Sequence, residues 1–226
     1  MTVVRQLALD LPLREALGRD DFLVSEANRQ AVALIDAWPD WPHREALLIG
    51  PEGSGKSHLV EVWRARSGAG RIAAAELSDA TIPALGEPAA LAIEDCGPEL
   101  DQTRLVHLLN EMSRRQADVL LTARASPVHW GITLADLSSR LNRMTGAALA
   151  PPDDALMEAV LVKLFADRQL DVSPMVIRYL ATRLERSFAD MRAAVARLDR
   201  MAIEEQRRVT RALAARMLAE RPAEHD

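Results

Sequence analysis

The stretch Gly50-Pro-Glu-Gly-Ser-Gly-Lys-Ser57 decides the fold of this chain. It fits the pattern G-x-x-x-x-G-K-[ST], in which backbone N–H groups cradle the phosphates of a nucleotide. A short apolar run at 46–49 precedes it, and a helix is predicted from Lys56 to about 66. The mechanism needs this strand–loop–helix context, because the helix N-terminus must face the phosphates. We therefore predict a site for a nucleoside triphosphate or diphosphate, formed by Gly50, Pro51, Glu52, Gly53, Ser54, Gly55, Lys56 and Ser57.

The lysine of this loop stands out against the composition of the chain. Of 28 basic residues only Lys56 and Lys163 are lysines, and all the others are arginines. A lysine that is kept against such a bias indicates a chemical requirement. Lys56 is predicted to reach the β- and γ-phosphate oxygens, and the hydroxyl of Ser57 is predicted to ligate Mg²⁺.

Two carboxylates follow an apolar strand at 91–93 and supply the acidic partner that such a loop needs. Glu94 is predicted to hold or orient the metal, and Asp95 to polarise the attacking water. Thr122, at the end of the next strand, is predicted to place a water near the γ-phosphate. The alternative is a pair of solvated acids and an ordinary strand-end threonine. Because glutamate is longer than the usual aspartate and no further base follows, intrinsic hydrolysis is expected to be weak at most.

The order of elements outside the loop predicts an α/β fold with a parallel sheet flanked by helices. Candidate strands alternate with candidate helices, which is typical of doubly wound sheets. After Pro151-Pro152 the pattern becomes all helical, which predicts a small second domain. We predict an extended arm at 1–20, a nucleotide-binding α/β domain at 21–150 and a helical lid domain at 151–226. The predicted strands are 46–49, 71–75, 90–93, 119–122 and 147–149, and the predicted helices are 25–38, 56–66, 101–116, 153–168, 174–185, 188–206 and 210–219.

Composition excludes several classes of protein. The 226 residues carry 28 basic and 33 acidic side chains, a net charge of −5, whereas a protein that grips DNA through its phosphates is normally basic. Cys96 is the only cysteine, so an internal disulfide framework is excluded. The apolar runs are far shorter than the roughly 18 residues of a transmembrane helix. A soluble cytoplasmic protein is therefore expected.

Further motifs, in the same order and spacing, resemble those of the DnaA-related AAA+ ATPases, most closely the shortened Hda-like branch. Phe22-Leu-Val24 resembles the segment that packs near the adenine, and Gly55-Lys-Ser-His58-Leu resembles the extended phosphate loop of this family. Leu137-Ser-Ser-Arg140 resembles its arginine-finger box, and Ser187-Phe-Ala-Asp-Met-Arg192 resembles its nucleotide-sensing lid motif. The resemblance covers about residues 20–219.

The resemblance implies a role for each matching residue. Phe22, Val24 and His58 would line the nucleotide, and Arg192 would fold over the phosphates of its own subunit. Arg140 would point across an interface at the γ-phosphate of a neighbour. An arginine finger of this kind is worth roughly 10³–10⁵ in rate. Without the resemblance, each arginine would be interpreted as solvated.

The chain departs from the initiators of that family in ways that define its expected partners. The sequence ends shortly after the predicted lid, so we expect it to lack the C-terminal DNA-binding domain of the initiators. The segment 76–89 is too short for the helix pair with which initiators engage single-stranded DNA. Its N-terminal arm, Gln6-Leu7-Ala-Leu9-Asp-Leu11, resembles the hexapeptide Q-L-x-L-x-L that docks on the bacterial sliding clamp, although an amphipathic terminal strand would show the same pattern.

Together these features predict an Hda-like negative regulator of replication initiation. Docked on the DNA-loaded clamp, it would stimulate hydrolysis of ATP bound to a DnaA-type initiator, and it would contact DNA only through the clamp. Its own cofactors would be ATP or ADP with Mg²⁺, and no membrane partner is expected. Two alternatives stay open: a self-contained ATPase or helicase-loader-like switch, and an adaptor stabilised by nucleotide. The choice between monomer and homodimer is also open.

Overall fold

A computed structural model describes residues 23–84, 86 and 88–220. These residues divide into two compact units, which meet in sequence between Pro151 and Pro152. The predicted clamp motif, with Gln6, Leu7, Leu9 and Leu11, lies outside the described residues, and so does Phe22. Within the described part of the chain, no helix is both long enough and apolar enough to cross a membrane.

The first unit is built on a five-stranded parallel sheet, as the alternation of strands and helices predicts. The strand order is β2-β3-β4-β1-β5. From β1 the chain crosses to β2 at one edge of the sheet, returns through β3 and β4, and then passes β1 to reach β5. The connections that leave the neighbouring strands β1 and β4 therefore run in opposite directions, which makes the carboxyl end of β1 part of a topological switch point where such sheets bind ligands. The strands are β1 (Glu45–Ile49), β2 (Gly70–Ala73), β3 (Ala90–Cys96), β4 (Asp118–Ala123) and β5 (Thr145–Ala148).

Helices cover both faces of this sheet, so the α/β prediction is confirmed. In β1, Ala46 and Leu48 pack with α1 and α2, while Leu47 faces the opposite way, toward α4 and α5. This alternation follows from the two-residue period of a strand and buries both faces of the sheet. The helices are α1 (Arg29–Asp36), α2 (Lys56–Ser67), the short α3 (Thr81–Ala84), α4 (Gln102–Arg114) and α5 (Ala135–Arg143).

The first helix is shorter than the 25–38 that the sequence predicts. Residues 25–28 form a turn instead, in which the side chain of Asn28 accepts from the backbone N–H of Ser25 and donates to the carbonyl of Leu23. Asn28 is buried, so its amide group must be satisfied, and these bonds satisfy it. The backbone N–H of Ala150 donates to the carbonyl of Ala27. This bond connects the turn to the segment that directly follows β5.

The second unit is all helical, with its own apolar core. Met157, Leu161 and Phe165 of the first helix pack with Met191 and Val195 of the third. Asp153 caps the first helix by accepting from the backbone N–H of Leu156 at 2.7 Å. Between residues 152 and 220 its helices are α6 (Asp154–Asp167), α7 (Pro174–Ala181), α8 (Phe188–Glu204) and α9 (Arg211–Ala219).

Candidate nucleotide site

The loop between β1 and α2 has the backbone shape that its glycines allow. Gly53 and Gly55 have φ angles of 71° and 98°, in the left-handed region that favours glycine. A Cβ atom on Gly50 would lie 2.7 Å from both the carbonyl oxygen of Leu149 and Oγ of Ser54. The loop is thus closed tightly against the residue after β5, and the first turn of α2 begins directly behind it. This arrangement fits the phosphates of a nucleotide.

The ammonium group of Lys56 lies inside the loop. Its Nζ donates to the carbonyl oxygens of Gly50 at 2.7 Å and Pro51 at 2.8 Å, and the residue is buried. Burial lowers the pKa of Lys56 from its ordinary value, while the negative charge of Asp95 acts in the opposite direction. A cation that the protein solvates only with carbonyl oxygens is well placed to bind an anion. The position supports the predicted contact of Lys56 with phosphate.

The predicted metal ligands lie next to each other. Oγ of Ser57 donates to Oε2 of Glu94 at 2.8 Å, although 36 residues separate them in the sequence. Hard oxygen donors of this kind are the ligands that Mg²⁺ prefers, so the pair fits the metal of a nucleotide complex. Their role as ligands stays a prediction.

A hydrogen bond joins Asp95 to Thr122 at the point where β3 departs from regular strand geometry, directly after Glu94. A register irregularity between Ile93 and Cys96 interrupts the pairing of β3 with β4, and Asp95 takes a left-handed φ of 57° there. Its backbone N–H donates to Oγ1 of the buried Thr122 at 3.2 Å, and its side chain is exposed. Both residues therefore end at the edge of the sheet that carries the loop. The roles of Asp95 in polarising an attacking water and of Thr122 in placing it stay predictions.

For the other residues that are predicted to contact nucleotide, the structure gives positions, and their contacts with nucleotide stay predictions. Glu52 is exposed and pairs with Arg124 at 2.8 Å. Val24 is exposed in the segment before α1, and His58 is half-buried on the first turn of α2. Arg192 lies on α8 of the helical unit, and its contact with nucleotide remains a prediction.

Arg71, which sequence reasoning did not select, is part of this site. Its Nε pairs with Oε1 of the buried Glu94, and its guanidinium also lies 3.6 Å from Glu61. The parallel register of β2 with β3 pairs Ala73 with Glu94, so Arg71 is close along the neighbouring strand. Nothing in the sequence distinguishes Arg71 from the other arginines, since the contact depends on strand order. Arg71 offsets the negative charge of the Glu94 carboxylate.

Arg140, to which the resemblance assigns the role of an arginine finger, is buried in the first unit, and that role stays a prediction. Its guanidinium points into the unit rather than across a surface, and its side chain is only 8% exposed. Nε and Nη2 donate to Oε1 of Glu45, Nη1 donates to Oδ1 of Asn110, and Nη2 also donates to the carbonyl of Leu109. The physical reason is Glu45, a buried carboxylate that needs a cation beside it.

Comparison with known protein families finds a match in the helical unit. Residues 154–218 match the family model described as the lid domain of Hda. A sequence search of curated proteins gives no match.

Solved structures resemble the chain over most of its length. Domain III of the replication initiation protein DnaA from Thermotoga maritima has a TM-score of 0.79 at 18% identity, covering 93% of this chain and 98% of that one. AMPPCP-bound DnaA from Aquifex aeolicus has a TM-score of 0.69 at 16% identity, covering 82% of this chain and 65% of that one. A RuvB variant from Thermotoga maritima has a TM-score of 0.70 at 14% identity, covering 90% and 71%.

The chain thus has the AAA+ fold, with a phosphate-binding loop at the switch point of its sheet. Its helical unit is an Hda-type lid. The rest of the chain shares the fold of DnaA domain III, and residues 154–218 are similar to the lid domain of Hda.

Proposed function

We propose that the chain binds ATP or ADP with Mg²⁺ at residues 50–57 and acts in the cytoplasm as a negative regulator of replication initiation. It stimulates hydrolysis of ATP held by a DnaA-type initiator while it is docked on a DNA-loaded sliding clamp. Arg192 is the lid residue that senses its own nucleotide. The Hda-type lid and the geometry around Lys56 and Ser57 support the class of protein and the nucleotide.

One observation carries the proposal of action in trans: the arginines of α5 lie at the opposite edge of the sheet from the phosphate loop. The loop follows the last residue of β1, whereas Arg140 contacts Glu45, the first residue of β1. Five residues of strand span about 16 Å. A guanidinium at this edge is too far away to act on nucleotide in its own loop, so its target would be nucleotide bound by another molecule.

The contacts of Glu94 favour weak intrinsic hydrolysis of ATP. Glu94 is already neutralised by Arg71 and hydrogen bonded to Ser57. This leaves less negative charge for a metal than a free carboxylate would. We expect the resident nucleotide to set conformation and assembly rather than to be turned over quickly.

The experiment that tests this function measures hydrolysis of initiator-bound ATP with and without the chain and clamp-loaded DNA. The proposal expects acceleration only when the chain, the clamp and DNA are all present. Absence of acceleration would refute it. Rapid turnover without initiator or clamp, lost in Asp95→Ala, would instead favour the self-contained ATPase.

Docking on the clamp is tested separately at the N-terminal arm. Gln6→Ala should abolish retention on immobilised clamp, because the glutamine amide anchors such extended peptides at the rim of an apolar groove. Asp10→Ala, at a variable position of the same hexapeptide, is the matched control and should bind normally. Nucleotide affinity should be unchanged in both, and unchanged retention of Gln6→Ala would overturn the assignment of the arm.

A further inference from the structure

Glu94 lies between the phosphate loop and a cation that comes from the neighbouring strand. Its side chain is 4% exposed, and its two oxygens have different partners. Oε2 accepts from the hydroxyl of Ser57 at 2.8 Å. Oε1 forms an ion pair with Nε of Arg71, yet it accepts no hydrogen bond within the described part of the chain. The carboxylate is therefore compensated in charge, while Oε1 keeps lone pairs that can accept from water.

The parallel sheet holds Arg71 in this position. The register of β2 with β3 pairs Arg71 with Ala92, two residues before Glu94. Residues two apart on a strand point to the same face, so Arg71 and Glu94 are diagonal neighbours on one face of the sheet. Glu61 of α2 lies 3.6 Å from Nη1 of the same guanidinium. Arg71 is thus held at the site by two carboxylates, one from the next strand and one from the helix behind the phosphate loop.

Negative charge at the phosphate loop opposes the binding of a phosphate anion. Burial lowers the pKa of Lys56, and the charges of Asp95 and Glu94 act in the opposite direction, so both carboxylates are within electrostatic reach of the loop. A nucleoside diphosphate brings further negative charge to the same place. At an effective dielectric constant of about 20, a unit charge within about 10 Å changes the affinity for another charge roughly tenfold or more. A cation beside Glu94 therefore favours the binding of nucleotide.

In most complexes of nucleotides with phosphate-binding loops, Mg²⁺ is the cation that compensates such charge. We propose that Arg71 compensates Glu94 in its place, so that the chain binds a nucleoside diphosphate with nearly equal affinity in the presence and absence of Mg²⁺. Arg71 is then a positioning residue that acts through Glu94. The inference deepens the proposed function, because it rests on nucleotide binding at residues 50–57 and does not depend on the initiator or the clamp.

The test measures the affinity of the full chain for fluorescent ADP, once in excess EDTA and once in millimolar Mg²⁺. The wild type should bind nearly equally well in both. Arg71→Met should bind about tenfold or more weakly in EDTA, because Glu94 is left uncompensated beside the phosphates, and Mg²⁺ should restore most of the loss. Arg71→Lys should behave like the wild type, because lysine keeps the charge that the inference requires.

Two further variants separate the charge of Arg71 from its other contacts. Arg64→Met is the matched control, because Arg64 lies 2.7 Å from Glu61 but does not pair with Glu94 in the described residues, and it should leave the Mg²⁺ dependence unchanged. The double variant Glu94→Gln/Arg71→Met removes both charges of the ion pair. It should depend on Mg²⁺ as weakly as the wild type and remain stable if Arg71→Met alone is not, since no buried charge is left uncompensated. Melting temperatures without nucleotide show which variants are folded.

Equal affinities of folded Arg71→Met in EDTA and in Mg²⁺ would overturn the inference, and so would a wild type that binds ADP only with Mg²⁺. Strong Mg²⁺ dependence that persists in the double variant would assign the effect to a carboxylate other than Glu94 and would also overturn it. If the wild type binds no ADP under either condition, the proposed nucleotide site is wrong and the inference is wrong with it. Failure of the assay with initiator-bound ATP, by contrast, would refute the proposed regulator and leave this inference in place.

Discussion

At the scale of single residues, Gly50 shows how closely the phosphate-binding loop is fitted to the sheet. Gly50→Ala would push a methyl group against the carbonyl of Leu149 and the hydroxyl of Ser54, both at 2.7 Å. Since a backbone carbonyl cannot move away cheaply, we expect a loss of about 1–3 kcal/mol in unfolding free energy. The loop should also be displaced, so binding of a fluorescent ADP should weaken.

Gly97 provides the matched control for this substitution. It follows β3, and a Cβ atom on it would meet no atom within 4 Å. Gly97→Ala should therefore change stability by about 0.5 kcal/mol or less and leave ADP affinity unchanged. Chemical denaturation and nucleotide titration of both variants check the pair, and equal effects of the two alanines would contradict the packing argument.

The residues that could not be predicted are those whose partners are distant in the sequence. The phosphate loop is a local pattern, so Lys56 and Ser57 could be selected from the sequence alone. The bond of Arg140 to Glu45 spans 95 residues and exists only because α5 leads into β5, which lies beside β1. Before the structure is known, Glu45 looks like an ordinary polar residue at the start of a strand. The contact of Arg71 with Glu94 could not be predicted for the same reason, because Arg71 reaches Glu94 from a neighbouring strand.

At the scale of elements, strand and helix positions follow from periodicity, and the errors are at their ends. The predicted strand at 90–93 extends to Cys96, because its pairing with β4 resumes after the irregularity at Asp95. The predicted helix at 174–185 ends as α7 at Ala181, and the backbone N–H of Glu185 bonds instead to the side chain of Asp190. Hydrogen bonds of this kind cannot be predicted from the local periodicity of apolar residues.

Helix α6 gives a prediction at this scale, because its first turn depends on one side chain. Asp153 accepts from the backbone N–H of Leu156, an N–H that has no partner inside the helix. Asp153→Ala should lower the unfolding free energy by about 1 kcal/mol. Ser173→Ala at the start of α7 is the control, since Ser173 makes no such bond and proline follows it. Urea denaturation distinguishes them, and a Ser173→Ala loss as large as that of Asp153→Ala would refute the capping argument.

At the scale of the whole molecule, we expect nucleotide to stabilise the native chain through the loop at 50–57, which lies in the first of the two units. A ligand at 100 times its dissociation constant adds about 2.7 kcal/mol to the unfolding free energy if it binds only the native state. For a chain of this length, that corresponds to a rise of about 5–10 °C in melting temperature. We expect such a rise when ADP and Mg²⁺ are added to the wild type.

The two lysines of the chain make this prediction specific. Lys56→Met should abolish the rise, because the ammonium group in the loop is replaced by an apolar side chain beside the phosphates. Lys163→Met removes the same charge from α6, where Nζ lies 3.5 Å from Asp167, and should keep the full rise. Thermal scans with and without ADP measure both. A full rise in Lys56→Met would mean that nucleotide binds elsewhere on the molecule, and a loss of the rise in both variants would mean that net charge, rather than the loop, governs binding.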